Sequence, residues 1–131
     1  MEEKIFKNLT ITVSDNDGDV SKAGWKDAVK HWRVIVYDKQ NRKQMGFDFF
    51  GGSMAKADPF DCLDCFLSDA ISYMNAQDPF DFMSDFGYSD FKEGQRAYNG
   101  CKKAYFKCRK FIGSDDEIVE LANELNDEIN G

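Results

Sequence analysis

The sequence predicts an α+β fold in which an N-terminal three-stranded antiparallel sheet packs against three to four C-terminal helices. Two observations predict it. Residues before position 56 alternate in the manner of strands, whereas apolar residues after position 57 recur every three to four positions. Strands followed by helices, rather than alternating with them, are typical of this class. A chain of 131 residues is expected to form a single domain, mainly a β meander over 1–56 and helical over 57–131.

Three segments of the first half are predicted as strands. Residues 4–13 are rich in β-branched side chains, and the polar cluster SDNDGD that follows is interpreted as a solvated turn. A calcium loop would need glutamate where Gly24 stands, so calcium binding is not expected. The segment His31–Asp38 is largely apolar on both faces and is therefore expected at the centre of the sheet. The DKQNR turn then leads to a third strand over 43–50.

Four helices are predicted, each from an N-terminal capping signal followed by an apolar stripe. Two begin with an aspartate before a proline at the first helical position. The other two begin with a capping box, in which glutamate follows the capping residue three positions later. The four starts are Asp58-Pro59, Asp78-Pro79, Asp90 with Glu93, and Ser114 with Glu117.

The predicted helix over 91–112 carries the largest concentration of basic side chains. Its buried stripe is predicted from residues at steps of three and four, namely Tyr98, Cys101, Tyr105, Cys108 and Ile112. Residues 92–112 hold seven basic residues and one acidic residue, whereas 57–91 hold eight aspartates and 113–131 hold seven acidic residues, both without a basic residue. Two interpretations are open: either the flanks neutralise the basic helix, or an acidic face imitates spaced phosphates and docks into a basic groove.

Composition limits the expected surroundings and partners. No apolar run is long enough to span a membrane and no apolar leader is present, so a cytoplasmic protein with no membrane partner is expected. The four cysteines are accordingly expected to be reduced. The net charge of −7 argues against general nucleic-acid binding, and direct nucleic-acid binding is therefore not expected.

The sequence contains no convincing catalytic or metal-binding constellation. Cys62 and Cys65 form a C-x-x-C inside a predicted helix rather than on a zinc knuckle, and acidic neighbours oppose a redox thiolate. His31 is the only histidine and has no companion motif. Asp78 or Asp81, followed by Asp90-Phe91-Lys92, imitates the order of a nuclease motif, but these residues lie at helix starts, where capping explains them better. We expect no enzymatic activity, no cofactor and no metal site.

Residues 57–113 resemble a family of small proteins encoded by bacteriophages and prophages. The resemblance lies in DCLDCFLSDA, then PFDFMSDFGYSD, then AYNGCKKAYFKCRKFIG. It implies a phage protein that acts in the cytoplasm of a host bacterium. Small, acidic, non-catalytic phage proteins resemble inhibitors of host defence such as anti-CRISPR and antirestriction proteins. Cysteine at both 62 and 65 and the longer acidic tail depart from the family pattern, so the resemblance does not extend to a function carried by the tail.

The resemblance and the charge map together predict a non-catalytic inhibitor that binds a host nucleic-acid-binding protein, such as a CRISPR effector nuclease, through an acidic face. One alternative is a phage accessory protein that binds nucleic acid through the basic helix 91–112. Another is a scavenger of a small nucleotide signal. The residues predicted to contact the partner are Asp61, Asp64, Asp69, Asp78, Asp81, Asp85, Glu117, Glu120 and Glu124.

Overall fold

A computed structural model describes residues 1–16, 20, 23, 28–76, 78–86 and 90–131, with the backbone alone for 84–86. The predicted turn over 14–19 lies partly outside these residues. Within them, four strands precede four helices, and the predicted α+β class is confirmed. The strands are β1 (Glu2–Phe6), β2 (Leu9–Asp15), β3 (Lys30–Asp38) and β4 (Lys43–Gly51). The helices are α1 (Pro59–Asn75), α2 (Pro79–Phe86), α3 (Phe91–Phe111) and α4 (Asp115–Asn130).

The chain divides into two compact units, Met1–Leu63 and Asp64–Gly131. The first unit contains the sheet and the beginning of α1. The second contains the rest of α1 and the three later helices. Each unit has its own buried apolar side chains, which are aliphatic and aromatic in the sheet and include two cysteines in α3.

The sheet is antiparallel with the strand order β1-β2-β3-β4, so it has one strand more than the sequence predicted. Residues 4–13, predicted as one strand, fold back as a hairpin in which Phe6 pairs with Leu9. Lys7, in the turn between them, adopts the left-handed conformation with a φ of 56°. The prediction missed this turn because Lys7-Asn8 lacks the glycine that usually marks a tight hairpin.

Alternation along the strands gives the sheet one apolar face. Six buried side chains form two rows across β2, β3 and β4, namely Ile11, Val36 and Met45, and Val13, Val34 and Phe47. The predicted central position of the segment His31–Asp38 is confirmed, because β3 pairs with β2 on one side and β4 on the other. The burial of the two rows fixes the register, since a slip of one residue would turn every side chain to the opposite face.

The buried carboxylate of Asp38 connects two turns at the same end of the sheet. Asp38 is only 6% exposed. It accepts a hydrogen bond from Asn8 Nδ2 at 2.6 Å, and Asn8 belongs to the β1–β2 turn. In the β3–β4 turn it accepts from the backbone N–H of Gln40 at 3.0 Å and from the backbone and side-chain nitrogens of Asn41 at 3.1 and 2.8 Å. Burial opposes the charge, but these hydrogen bonds outweigh it and lower the pKa of Asp38 below its ordinary value.

His31 is held by partners on both of its ring nitrogens. It is 3% exposed, and its ring stacks on Phe50 with 4.5 Å between centroids. Nε2 lies 2.9 Å from Asp48 Oδ1, and Nδ1 lies 3.2 Å from Asn16 Nδ2. A general base needs a ring nitrogen within reach of the substrate proton, and both nitrogens of this buried ring are already engaged. The geometry supports the structural interpretation of His31.

The helices begin where the capping signals predicted. The side chain of Asp58 accepts hydrogen bonds from the N–H groups of Phe60 and Asp61 at 2.9 and 3.3 Å, and it also pairs with Lys4 of β1. Burial opposes its charge, but the bond from Lys4 and the two backbone N–H groups outweigh burial and lower the pKa of Asp58. The other capping side chains are Asp78, Asp90 and Ser114.

The buried stripe of α3 differs in part from the prediction. Cys101 and Cys108 are buried as expected, together with Ala104 and Phe111. Tyr98, Tyr105 and Ile112, by contrast, are only half-buried. The tyrosines lie at the border of the stripe, where a ring can pack against its neighbours while its hydroxyl group remains accessible to a polar partner.

Helix α3 contains two glycines in different surroundings. A Cβ atom built on Gly94 would lie 2.4 Å from Cγ of Met83 in α2, so the absence of a side chain allows the two helices to approach closely. A Cβ atom built on Gly100 would have nothing within 4 Å. Gly94 therefore has a packing role, whereas Gly100 contributes only its low helix propensity.

Candidate partner-binding surface

The nine acidic residues predicted to contact a partner are distributed over three helices. Asp61 belongs to the first unit and the others to the second. Five are exposed, namely Asp61, Asp69, Asp78, Glu117 and Glu120, and three are half-buried, namely Asp64, Asp81 and Glu124. The side chain of Asp85 lies outside the described part of the structure.

Two of the exposed carboxylates already cap helices. Asp78 accepts a hydrogen bond from the backbone N–H of Asp81 at 2.8 Å. Glu117 Oε1 accepts from the backbone nitrogen and the hydroxyl group of Ser114 at 3.2 and 3.1 Å, which completes the capping box. A partner would have to share or replace these bonds. Three predicted contacts lie on α4. Glu117 belongs to the capping box and Glu124 is half-buried, so Glu120 is the exposed carboxylate outside the box.

The outward face of α4 contains acidic residues that the sequence analysis did not select. Ile118, Ala122 and Leu125 are buried and define the inward face of the helix. On the opposite side lie three exposed carboxylates, Asp116, Glu120 and Asp127, which we call the α4 acidic surface. Helix geometry spaces them by about 6 and 10 Å along the axis. Projecting the sequence of residues 115–130 on a helical wheel would have identified Asp116 and Asp127.

The acidity of the C-terminal half of α4 opposes the stability of the helix. Acidic residues in the first turn are favourable, because the N-terminal end of a helix carries partial positive charge. Asp127 and Glu128 lie at the opposite end, and the last turn contains no basic residue. Pairs four residues apart, such as Glu120 with Glu124 and Glu124 with Glu128, place like charges side by side. Helix formation alone therefore does not explain these charges.

No protein-family model, curated protein or solved structure matches this chain. The relationship to phage proteins therefore stays a prediction from the sequence motifs.

One acidic residue of α4 interacts with α3. Asp115 accepts a hydrogen bond from the hydroxyl group of Tyr105 at 2.7 Å and from Arg109 at 3.0 Å. The bond from Tyr105 is the larger of these influences, and together they lower the pKa of Asp115. All three side chains are at least partly exposed. This interaction supports the idea that the acidic flanks neutralise the basic helix at one position, while the α4 acidic surface faces outward.

The pKa of Asp69, one of the predicted contacts, is raised towards neutrality. Surrounding protein atoms raise its pKa to about 6 by desolvation. More than a third of the surface of Asp69 is nevertheless exposed, and contact with water limits such a shift. Asp69 is therefore mainly ionised at pH 7, and its negative charge would decrease on mild acidification.

The four cysteines are thiols, and their surroundings differ. Cys62, Cys101 and Cys108 are buried, whereas Cys65 is exposed. Burial, with a smaller contribution from the charge of Asp69, raises the pKa of both Cys101 and Cys108 to about 12.

Within the described ranges, no three His, Cys, Asp or Glu side chains come together in a way that could hold a metal ion. No helix in the described part of the chain is both long and apolar enough to cross a membrane.

The difference in burial between Cys65 and the other three cysteines predicts how fast each thiol reacts. We expect one fast phase with Ellman's reagent at pH 8, from Cys65, because disulfide exchange requires an accessible thiolate. The other three thiols should react only as fast as the surrounding structure opens. Cys65→Ser should remove the fast phase and leave the slow one unchanged. A fast phase that persists in Cys65→Ser would contradict the observed burial of the other three thiols.

Proposed function

We propose that this protein is a non-catalytic inhibitor that binds the basic nucleic-acid groove of a host protein through the α4 acidic surface. A CRISPR effector nuclease has a groove of this kind. The resemblance over residues 57–113 suggests a phage origin, which makes such a nuclease a candidate class of target, whereas the binding role of α4 rests on the charges of that helix. Basic grooves bind nucleic acid chiefly through phosphates, so a row of carboxylates on a helix can compete for the same Lys and Arg side chains.

The observation that carries the proposal is the outward-facing acidity at the end of α4. Like charges four residues apart and acidic residues in the last turn each reduce helix stability by a few tenths of a kcal/mol. Solubility alone does not explain these positions, because carboxylates elsewhere on the surface would make the protein equally soluble. Asp116 lies in the favourable first turn, but Glu120 and Asp127 lie where their charges oppose helix formation. A binding role explains these two carboxylates better, because their repulsion decreases when a basic partner is bound.

The proposal is tested by displacement of DNA from candidate partners. A panel of CRISPR effector and restriction nucleases is loaded with a fluorescein-labelled duplex, and release is followed by anisotropy. We expect the wild-type protein to displace the duplex from a member of the panel, with an effect that weakens as salt is raised. Glu120→Gln combined with Asp127→Asn should raise the concentration required by about tenfold.

The matched control also removes two negative charges, but it removes them from β1. Glu2→Gln combined with Glu3→Gln leaves α4 intact and changes two exposed residues of the first unit. This control should displace DNA as well as the wild-type protein does. Equal displacement by both double variants would show that net charge, and not the α4 acidic surface, is responsible. Failure of the wild-type protein to displace DNA from every nuclease in the panel would refute the proposal.

A stability measurement separates loss of binding from loss of folding. Because Glu120→Gln and Asp127→Asn remove charges that repel their neighbours, we expect the free energy of unfolding to stay unchanged or to rise by a few tenths of a kcal/mol. Urea denaturation followed by circular dichroism measures this change. A double variant that unfolds at a clearly lower urea concentration would mean that these carboxylates stabilise α4 within the fold.

A further inference from the structure

A cluster of aromatic rings lies where α1 and α3 meet within the second unit. Tyr73 of α1 lies at its centre, with ring-centroid distances of 5.5 Å to Tyr98, 5.0 Å to Tyr105 and 6.1 Å to Phe106. Tyr105 and Phe106 also contact each other at 5.2 Å in an edge-to-face arrangement. We call these four residues the tyrosine cluster. Contacts of this kind hold the rings in defined orientations without requiring complete burial.

The tyrosine cluster is only partly buried. Tyr73, Tyr98 and Tyr105 are half-buried, and Phe106 is 54% exposed although it is fully apolar. An exposed phenylalanine that packs against other rings offers a preorganised flat surface to a ligand. Binding to such a surface loses little conformational entropy, since the neighbouring rings already restrict the side chain.

Cations lie on the same side of α3 as the cluster. Successive residues of a helix are rotated by about 100°, so the α3 members of the cluster share one sector, roughly 100° wide, with Lys102 and Arg109. Lys103 and Lys110 lie just beyond Phe106 around the helix, at the edge of the sector that is farther from the tyrosines of α3. All four cations are exposed. Arg109 already pairs with Asp115, so the three lysines are the cations best able to meet additional anions.

We propose that the tyrosine cluster and the adjoining lysines bind single-stranded nucleic acid. Bases stack on exposed aromatic rings, while phosphates interact with neighbouring cations, and this combination tolerates many base sequences. Phe106 supplies the accessible ring, which Tyr73 and Tyr105 contact. Tyr98 in turn packs on Tyr73. The cations that meet the phosphates are Lys102, Lys103 and Lys110. The ligand is a strand and not a duplex, because the bases of a duplex are stacked on each other and do not present their faces.

The net charge of the whole chain does not describe the local charge of α3. The net charge of −7 argued against nucleic-acid binding, but residues 92–112 hold seven of the basic residues and only one acidic residue. The tyrosine cluster lies on α1 and α3, and the α4 acidic surface lies on a different helix. The proposal therefore does not depend on the proposed inhibition and can be tested separately.

The test uses fluorescein-labelled dT 12-mer, with anisotropy measured at several salt concentrations. We expect saturable binding at 20 mM salt that weakens with a log–log slope of about −2, as expected for three phosphate contacts in a single strand. Phe106→Ala should weaken binding about tenfold, and Phe106→Trp should preserve it. Phe91→Ala is the matched control, because Phe91 is a similarly exposed phenylalanine of α3, 48% exposed, that lies outside the cluster.

Variants with altered charge test whether the lysines beside the tyrosine cluster contact phosphates. Lys102→Glu should weaken binding and make the salt slope shallower, whereas Lys92→Glu, in the first turn of the same helix, should do neither. Equal binding by Phe106→Ala and the wild-type protein would overturn the proposal. So would equal affinity for a 12-base-pair duplex, displacement by polyglutamate as effective as displacement by unlabelled dT 12-mer, or no binding at 20 mM salt. Phe106→Ala should still displace DNA from a nuclease if the proposed inhibition holds, so the two proposals can fail independently.

Discussion

Asp38→Ala is expected to lower the free energy of unfolding by about 3 kcal/mol, a large part of the 5–15 kcal/mol that stabilises a typical domain. Asp38 is 6% exposed and accepts hydrogen bonds from Asn8, Gln40 and Asn41. Alanine would leave four donors of two turns without their acceptor. Hydrogen bonds to a charged acceptor are stronger than neutral ones, and the lost bonds connect two different hairpins.

The same carboxylate is expected to contribute to acid sensitivity. Because the folded-state pKa of Asp38 is lowered from 3.8, its charge stabilises the fold above the pKa of the unfolded state. This contribution is lost as the pH falls below about 4 and through the folded-state value. Asp38→Asn retains the shape but not the charge, so we expect it to be destabilised at pH 7, with a difference from wild type that shrinks as the pH approaches 2.

Urea denaturation at several pH values between 2 and 7 measures both effects. Asp127→Ala is the control, since it removes an exposed aspartate from the last turn of α4 and should change the free energy of unfolding little. A difference between Asp38→Asn and wild type that stays constant from pH 7 to pH 2 would show that the charge of Asp38 does not stabilise the fold. An Asp38→Ala variant as stable as Asp127→Ala would show that the two turns do not need this carboxylate.

Alanine at Gly94 and alanine at Gly100 are expected to have opposite effects. Both substitutions gain up to about 1 kcal/mol of helix propensity. At Gly100 nothing lies within 4 Å of the new Cβ atom, so Gly100→Ala should be stabilising by most of that amount. At Gly94 the new atom would lie 2.4 Å from Cγ of Met83. Overpacking of this kind costs about 1–3 kcal/mol, so Gly94→Ala should be net destabilising.

A double-mutant cycle identifies the cause of the effect at Gly94. Gly94→Ala is combined with Met83→Ala, and the free energy of unfolding is measured by urea denaturation for all four proteins. If the Met83 side chain is the obstacle, Gly94→Ala should cost less, or should stabilise, in the Met83→Ala background. The same cost in both backgrounds would assign the effect to something other than the contact between α2 and α3. A destabilising Gly100→Ala would contradict the open surroundings of that residue.

The predicted elements that the structure contains are those with strong local signals. The aspartate and serine caps located the starts of the helices to within a residue, because a capping side chain binds backbone N–H groups two or three positions away. The hairpin between β1 and β2 was missed, since its turn residues Lys7 and Asn8 carry a weak local signal. Its formation depends on cross-strand pairs such as Phe6 with Leu9, which are consequences of register.

The candidate surfaces likewise combine features that the sequence predicts with features that depend on tertiary contacts. The sequence identified α4 as acidic and α3 as basic, because charge counting needs only the order of the residues. It did not select Asp116 and Asp127 as contacts, although a helical wheel of residues 115–130 places them opposite the apolar stripe of α4. It also assigned Tyr98 and Tyr105 to a buried stripe, because spacing alone does not distinguish the centre of a stripe from its border. Tyr73 brings those rings together from a helix more than twenty positions earlier.

Four features could be predicted from the order of the amino acids: the class of the fold, the positions of the helix caps, the central strand and the charge of each helix. These features depend on interactions over a few residues or on composition. Three other features are visible only in the folded protein: Asp38 joins two turns, Gly94 makes room for Met83, and the exposed Phe106 packs on tyrosines from two helices. Each of these contacts joins residues distant in the chain, so its energy depends on packing that no local pattern encodes.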